Sequence, residues 1–316
     1  MSPLVPQVCR CTASQRFTFP DFAMNWADHY RSTQDDAPEV PATPEAAVQT
    51  LLDGNARFIV ETVPDLSAPS TVPPADLAAL SSVPVVEAPK QAPFCIVLGC
   101  SDARVPAELV FSVKPNQLFV VRVAGNVLGE ECLGSIDYAL HTFKDSVHLL
   151  VVLGHTRCGA VGAAVDAYLS PNLHNSIAFT RALRSVVNHV LIAVRSAAVS
   201  LEEYWGPAVI ADSGYRDALM EVSVYLNAGM TAHFLREEMK PDEAIGTKVV
   251  YGVFDLCTCR VIGPDLDPQT DDTSKLADAP AHPDELVALG RLIAGSPMAA
   301  RHLSADFRKA YYPATK

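Results

Sequence analysis

Phe94-Cys95-Ile96-Val97-Leu98-Gly99-Cys100-Ser101-Asp102-Ala103-Arg104 and, further along, Val151-Val152-Leu153-Gly154-His155-Thr156-Arg157-Cys158-Gly159 are two versions of one pattern. In each, an apolar run of strand length ends in Gly and a metal-ligating side chain follows at once. Continuous apolar runs of this length fit strands buried on both faces, as in a parallel sheet covered by helices. Cys100, His155 and Cys158 supply two thiolates and an imidazole, the set zinc takes at catalytic sites that keep a fourth position free. Asp102 and Arg104 come directly after the first ligand, where a carboxylate would reach a metal-bound water.

Working outward, strands alternate with helices. Strands are expected at Phe94–Gly99, Gln117–Val123, Val147–Leu153 and Lys248–Leu256, with Thr258–Ile262 as an edge or hairpin partner. Helices are expected at Val105–Ser112, Glu130–Phe143, Cys158–Leu169, Ser176–Glu203, Asp217–Met239 and Pro283–Ala294. Before the first strand, Thr43-Pro44-Glu45 reads as a cap, a first-turn proline and an acid, opening a helix that Gly54-Asn55 should break or bend. The proline-rich stretch from Thr62 to Pro93 reads as a long loop with one short helix near Ala75–Leu80. The fold class is therefore α/β, a mostly parallel sheet of four strands and an edge strand, flanked by helices. Ligands of such sheets bind off the carboxyl ends of strands where the order reverses. Cys100 and His155 would meet in one crevice if their strands are neighbours at that switch point. The organisation expected is an N-terminal arm over 1–43, a zinc domain over 44–262, and a C-terminal extension over 263–316 with a polar tail after its helix.

Composition narrows the functional classes. With 49% hydrophobic and 19% charged residues the chain is ordinary globular protein. A formal charge of -12 argues against nucleic acid or an anionic membrane surface as partner. No apolar run is read as long enough for a membrane helix. The 8 cysteines are spread along the chain, which favours reduced thiols and metal binding over a disulfide framework and makes the cytoplasm the expected location. Residues 1–20, with Arg10, Arg16 and no acid, have a little of the composition of an organelle transit peptide, but a disordered or misassigned start accounts for them better.

Cys158 would sit at a helix start, where the dipole favours its thiolate. Cys95 lies inside a strand and Cys132 at a helix start, so neither completes a four-ligand sphere. The fourth position falls either to Asp102, giving a closed site, or to water, which zinc acidifies to a pKa of about 7. Arg104 can hold Asp102 ionised and turned away from the metal.

These residues carry a resemblance. Cys100-Ser101-Asp102-Ala103-Arg104-Val105-Pro106 followed by Gly154-His155-Thr156-Arg157-Cys158-Gly159-Ala160 is similar to the β-class carbonic anhydrases. The likeness extends through Leu51–Asn55, Gln91–Pro93, Val121–Asn126, Tyr138-Ala139 and Gly252–Leu256. It implies a Zn2+ enzyme with Cys100, His155 and Cys158 as ligands, hydrating CO2 to bicarbonate by zinc-bound hydroxide, in a homodimer or higher oligomer. It implies Asp102 and Arg104 as catalytic dyad, Gln91 as a hydrogen-bonding group for substrate, and Phe119, Ala124 and Tyr138 as pocket wall. Gly159 would offer a backbone N–H beside the last ligand. No His stands near the motifs as a proton shuttle.

The chain departs from the family pattern at two places. Val123 replaces an Asn near the dimer seam. Val97 stands where a subtype with an inhibitory bicarbonate site has Trp, so an open site is expected although Arg122 is retained. Cys9-Arg10-Cys11 and Cys257-Thr258-Cys259 each look like half a metal site, but unconnected thiols explain them better. Two rival functions are a hydrolase of COS or CS2 on the same scaffold and a non-catalytic bicarbonate-binding or scaffold protein.

Overall fold

The computed structural model describes residues 41–62, 91–114, 116–177, 179–239, 246–264 and 275–311. The N-terminal arm with Cys9 and Cys11, and the short helix expected at 75–80, lie outside them. Two compact units divide the chain: Met1–Pro38 with Ile59–Ala88, of which 59–62 alone are described, and Glu39–Phe58 with Pro89–Lys316, which contains the sheet and the site.

The expected parallel sheet is present. β1 (Cys95–Gly99), β2 (Leu118–Arg122), β3 (Leu149–His155) and β4 (Lys248–Phe254) run parallel in the order β2-β1-β3-β4. Gly99 is in register with Arg122 on one side and Leu153 on the other, and His155 with Phe254. The chain leaves β1 to one side and returns on its other side, so the order reverses between β1 and β3. Cys100 follows β1 and His155 ends β3, which puts both at the switch point. Two short strands, β5 (Val261–Ile262) and β6 (Ala277–Asp278), pair antiparallel with β4. β5 is the expected hairpin partner; β6, two residues long, has no periodicity to read.

Strand alternation sorts side chains into two cores. Ile96, Leu98, Leu150, Val152, Tyr251 and Val253 pack on one face. Cys95, Val97, Leu149, Val151, Leu153 and Val250 pack on the other. The first face carries α2 (Glu130–Thr142), α3 (Gly159–Leu169), α4 (Arg181–Trp205), α5 (Tyr215–Glu238) and α6 (Pro283–Ala294), whose apolar residues join its core. α5 is buried around most of its circumference, as a helix enclosed by sheet and helices must be. The second face is covered by α1 (Pro44–Thr62) and the 105–111 segment.

Several boundaries differ from the sequence reading for physical reasons. α1 runs unbroken through Gly54-Asn55. Gly54 is there for close approach, since a Cβ would lie 1.7 Å from the Phe111 carbonyl oxygen. Buried Asn55 donates to the Val110 and Cys259 carbonyls and accepts from Val261 N–H. α4 starts at Arg181 rather than Ser176 because Thr180 caps it, accepting from Leu183 N–H. It ends at Gly206, whose φ is +78°. The helix expected over 105–112 is a single turn, Ala107–Val110. The tail after α6 is not simply polar: a turn at Pro297–Ala300 and α7 (Ala305–Tyr311) follow. Contrary to the reading of apolar runs, α4 has the length and composition to cross a membrane. In this fold its stripe Val187, Val190, Val194, Ala197 and Leu201 is buried in the first core, and core helices of soluble proteins have the same length and composition.

Candidate metal centre

Cys100 emerges from β1 into a turn held by the end of β2. Arg122 Nε donates to the Cys100 carbonyl at 3.0 Å, and its Nη2 to the Asp102 carbonyl at 2.5 Å. His155 is buried at the end of β3, its Nδ1 3.0 Å from the Thr156 carbonyl oxygen. A carbonyl only accepts, so Nδ1 carries the proton and Nε2 keeps its lone pair. That Nε2 is buried and has no hydrogen-bond partner. Arg157 then takes a left-handed φ of +56°, an uncommon conformation for a side-chain-bearing residue. The bend lets His155 and Cys158 face one point, and Cys158 caps α3.

The ligand atoms of Cys100, His155 and Cys158 all lie within 4.8 Å of one another, and the two sulfurs are 4.0 Å apart. Two buried thiols this close share a proton. The hydrogen bond from Cys158 pulls the Cys100 thiol down against its burial, helped by the Gly125 N–H. Cys158 is pushed up by donating to Cys100 and by burial. The Val161 and Ala160 N–H groups at the helix start act in the opposite sense and pull Cys158 down, as that position implies. A second thiolate here calls for a divalent cation. An orphaned imidazole nitrogen completes a soft, three-ligand set that fits zinc with one position over.

Asp102 stands beside this set, held by Arg104. Its Oδ1 accepts from Arg104 N–H and Nε, both at 2.9 Å, and its Oδ2 from Nη2 at 2.6 Å. Asp102 Oδ2 is also 3.8 Å from His155 Nε2. The Arg104 hydrogen bond holds the Asp102 carboxyl well below the usual carboxylate range, against the opposing effect of burial. The guanidinium is pushed up in return.

Of the remaining residues named from sequence, Ala124 and Gly159 lie beside the cluster. Ala124 opens the turn whose next N–H reaches Cys100 Sγ, and Gly159 is the first residue of α3. Gln91, Phe119 and Tyr138 are not brought there within one chain. Gln91 is exposed beyond the amino end of β1, where Ala92 N–H donates to Asn116 Oδ1. Phe119 is in register with Ile96, which at about 3.3 Å per residue puts it roughly 13 Å back from Cys100. There it forms a ring cluster with Tyr138 and Phe143 at centroid distances of 6.0–6.4 Å. Val97 is buried in the second core. Cys95 and Cys132 stay outside the ligand set, and burial pushes the Cys95 thiol far up. Cys257 is exposed and Cys259 half-buried, and among the described residues neither joins a cluster of potential ligands.

Sequence reasoning missed the supports. Thr156 Oγ1 donates to buried Asp255 at 3.0 Å and accepts from Leu256 N–H, tying the His155 turn to the end of β4. Asn227 of α5 donates to the Gly125 carbonyl. Its one sequence signal is an amide inside the apolar run Val224–Ala228.

An α/β sheet with a buried Cys2His set at its switch point defines a metal-site protein of the parallel-sheet class. A family model described as carbonic anhydrase matches residues 95–261, and the chain belongs to the β-class carbonic anhydrase family. The carbonic anhydrase of Mycolicibacterium smegmatis is 40% identical over 126 residues, covering 40% of this chain and 55% of that protein. Carbonic anhydrase 2 of Mycobacterium tuberculosis is 41% identical over 124 residues, covering 39% and 54%. The chain thus spans about half the length of the curated relatives it matches. Among solved structures, one of two tetrameric β-carbonic anhydrases of Sordaria macrospora aligns at 24% identity over 54% of this chain and 80% of that one, with a TM-score of 0.44.

Proposed function

We propose that this chain is a zinc carbonic anhydrase that interconverts CO2 and bicarbonate. The observation that supports it best is the juxtaposition of the three-ligand cluster with an Arg-locked carboxylate. Zinc, when bound by Cys100 Sγ, His155 Nε2 and Cys158 Sγ, supplies a hydroxide nucleophile at neutral pH. The chain's own residues select and orient. With Arg104 keeping it ionised, Asp102 can only accept a hydrogen bond. An oxygen nucleophile seated beside it must therefore turn its proton to Asp102, which leaves a lone pair for carbon. A bicarbonate O–H meets the same acceptor on the way out. Arg122, by holding the Cys100 and Asp102 carbonyls, keeps Asp102 at the right depth.

The substrate pocket needs a second copy. Gln91, Phe119 and Tyr138 are remote from the cluster of their own chain, while Tyr138 is 56% exposed and Ala124 and Arg104 are open to solvent. In a homodimer Gln91, Phe119 and Tyr138 of one protomer would wall the site of its partner. Unpaired thiolate ligands require a reducing compartment, and we place the enzyme in the cytoplasm. Stopped-flow CO2 hydration by the zinc-loaded full-length chain tests the reading. Catalysis above the buffer rate is expected, and no catalysis at full zinc occupancy overturns it.

A further inference from the structure

Cys100 Sγ is supported from a direction the ligand set does not supply. Gly125 N–H donates to it at 3.3 Å. Gly125 takes φ +69° in the Ala124–Asn126 turn, and an added Cβ there would stand 3.0 Å from Ala160 Cβ at the start of α3. The turn is therefore wedged, with its N–H aimed at sulfur. Its opposite side is gripped as well: the Gly125 carbonyl accepts from Asn227 Nδ2 at 2.8 Å. Asn227 lies on α5 between buried Leu226 and Ala228 and is itself 5% exposed. An amide in such a place is costly unless bonded, and a leucine of similar size would carry no such cost. The partner that explains the amide is the turn bearing on Cys100.

We propose that Asn227 is a positioning residue for the metal centre. By fixing the Gly125 carbonyl it keeps the Gly125 N–H on Cys100 Sγ and so sets how much charge that thiolate donates to the ion. An N–H bonded to a thiolate withdraws electron density from sulfur, and groups one step behind the ligands tune a metal in this way. The donor set alone does not disclose this control. It runs from a helix packed on the far side of the turn, through the single residue Gly125, whose N–H and carbonyl carry the two hydrogen bonds. This inference rests on the metal-centre reading above.

The test replaces zinc by cobalt(II) in the full-length wild type, Asn227→Asp and Asn227→Leu, and records the thiolate-to-cobalt charge-transfer band. Aspartate matches asparagine in size but offers the carbonyl no N–H; leucine removes the polar group altogether. With the turn released, sulfur holds its electrons less tightly and the band moves to longer wavelength in both variants. Zinc loss to a chelator accelerates tenfold to a hundredfold, on the order seen when outer partners of ligands are removed. Ser223→Ala, buried on the same helix with its Oγ on the Leu219 carbonyl, controls for general loosening and keeps the wild-type band. If the leucine variant does not fold, the isosteric aspartate variant carries the test. A band unchanged in the Asn227 variants overturns the proposal, whatever happens to their Tm. A wild type that takes up no cobalt overturns the metal reading itself and this inference with it. A wild type that binds cobalt but does not hydrate CO2 overturns the proposed activity alone.

Discussion

Asp102 Oδ2 stands 3.8 Å from His155 Nε2, the one ring nitrogen of the cluster that has no hydrogen-bond partner. The carboxylate is close enough to bond whatever occupies the fourth position, yet three bonds to Arg104 hold both its oxygens. On the function proposed above, Asp102 orients a reactant rather than ligating. Replacing it by Asn keeps the shape and adds a donor where an acceptor is needed. Asp102→Asn should lower kcat/KM for CO2 hydration by about 10²–10⁴, the range of a lost acid–base or orienting group, with zinc still one per chain. Stopped-flow kinetics with metal analysis checks this. Zinc loss in the variant would instead make Asp102 a ligand.

The two kinds of buried cysteine should part cleanly. Cys100 and Cys158 converge with His155, whereas Cys95 points into the second core with Val97 and Val151. Cys158→Ser should bind no more than a trace of zinc and lose activity with it, since zinc prefers the softer thiolate. Cys95→Ala should retain full zinc and near-normal kcat, while its stability falls by about 1 kcal/mol for the lost packing. Metal content after gel filtration and thermal melts distinguish them.

What the sequence discloses here, and what it hides, follows from range. Apolar runs ending at Gly99-Cys100 and Gly154-His155 state both strand identity and ligand position, because burial on two faces writes itself into consecutive residues. Asn55 misleads for the opposite reason. In a helix pattern it reads as a breaker, but its amide serves backbone groups at Val110, Cys259 and Val261, partners visible only after folding. Asn227, Thr156 and Asp255 are of the same kind. Gln91, Phe119 and Tyr138 are legible as motif matches, yet no local pattern says that their places are remote from the cluster of their own chain.

Those three positions lead to a prediction about assembly. Tyr138 is exposed at the edge of the Phe119–Phe143 ring cluster, and a charge there would have to be desolvated in any apolar interface. Tyr138→Glu should leave the fold and zinc intact but shift the chain toward monomer in sedimentation velocity. Hydration activity should fall in proportion to the dimer lost. A variant that stays dimeric and inactive would place Tyr138 in chemistry rather than assembly; one that stays dimeric and active would remove it from both.

The C-terminal segment is fastened at two carboxylates, Glu221, which meets Arg301 and His302, and Asp212, which gives its part of the attachment a definite pH dependence. Asp212 accepts from Gly214 N–H at 2.8 Å and from both the N–H and the hydroxyl of Ser304, the residue that opens α7. Gly214 is close under the same segment, since a Cβ there would lie 1.8 Å from the His302 carbonyl oxygen. Burial alone would raise the Asp212 carboxyl, but these hydrogen bonds outweigh it and hold the group below its usual value. A carboxyl lowered by folding stabilises the native state fully above the unfolded pKa, about 3.9, and loses that contribution as pH falls through the lower native value. Asp212→Asn should therefore be less stable than the wild type by about 1 kcal/mol at neutral pH, after discounting for the solvent around a partly exposed group. The gap should be flat from pH 8 to about 5 and close as pH drops below roughly 4. Chemical denaturation of the two proteins across that range measures it. A gap that widens in acid would mean that Asp212 is held protonated, with Ser304 accepting rather than donating.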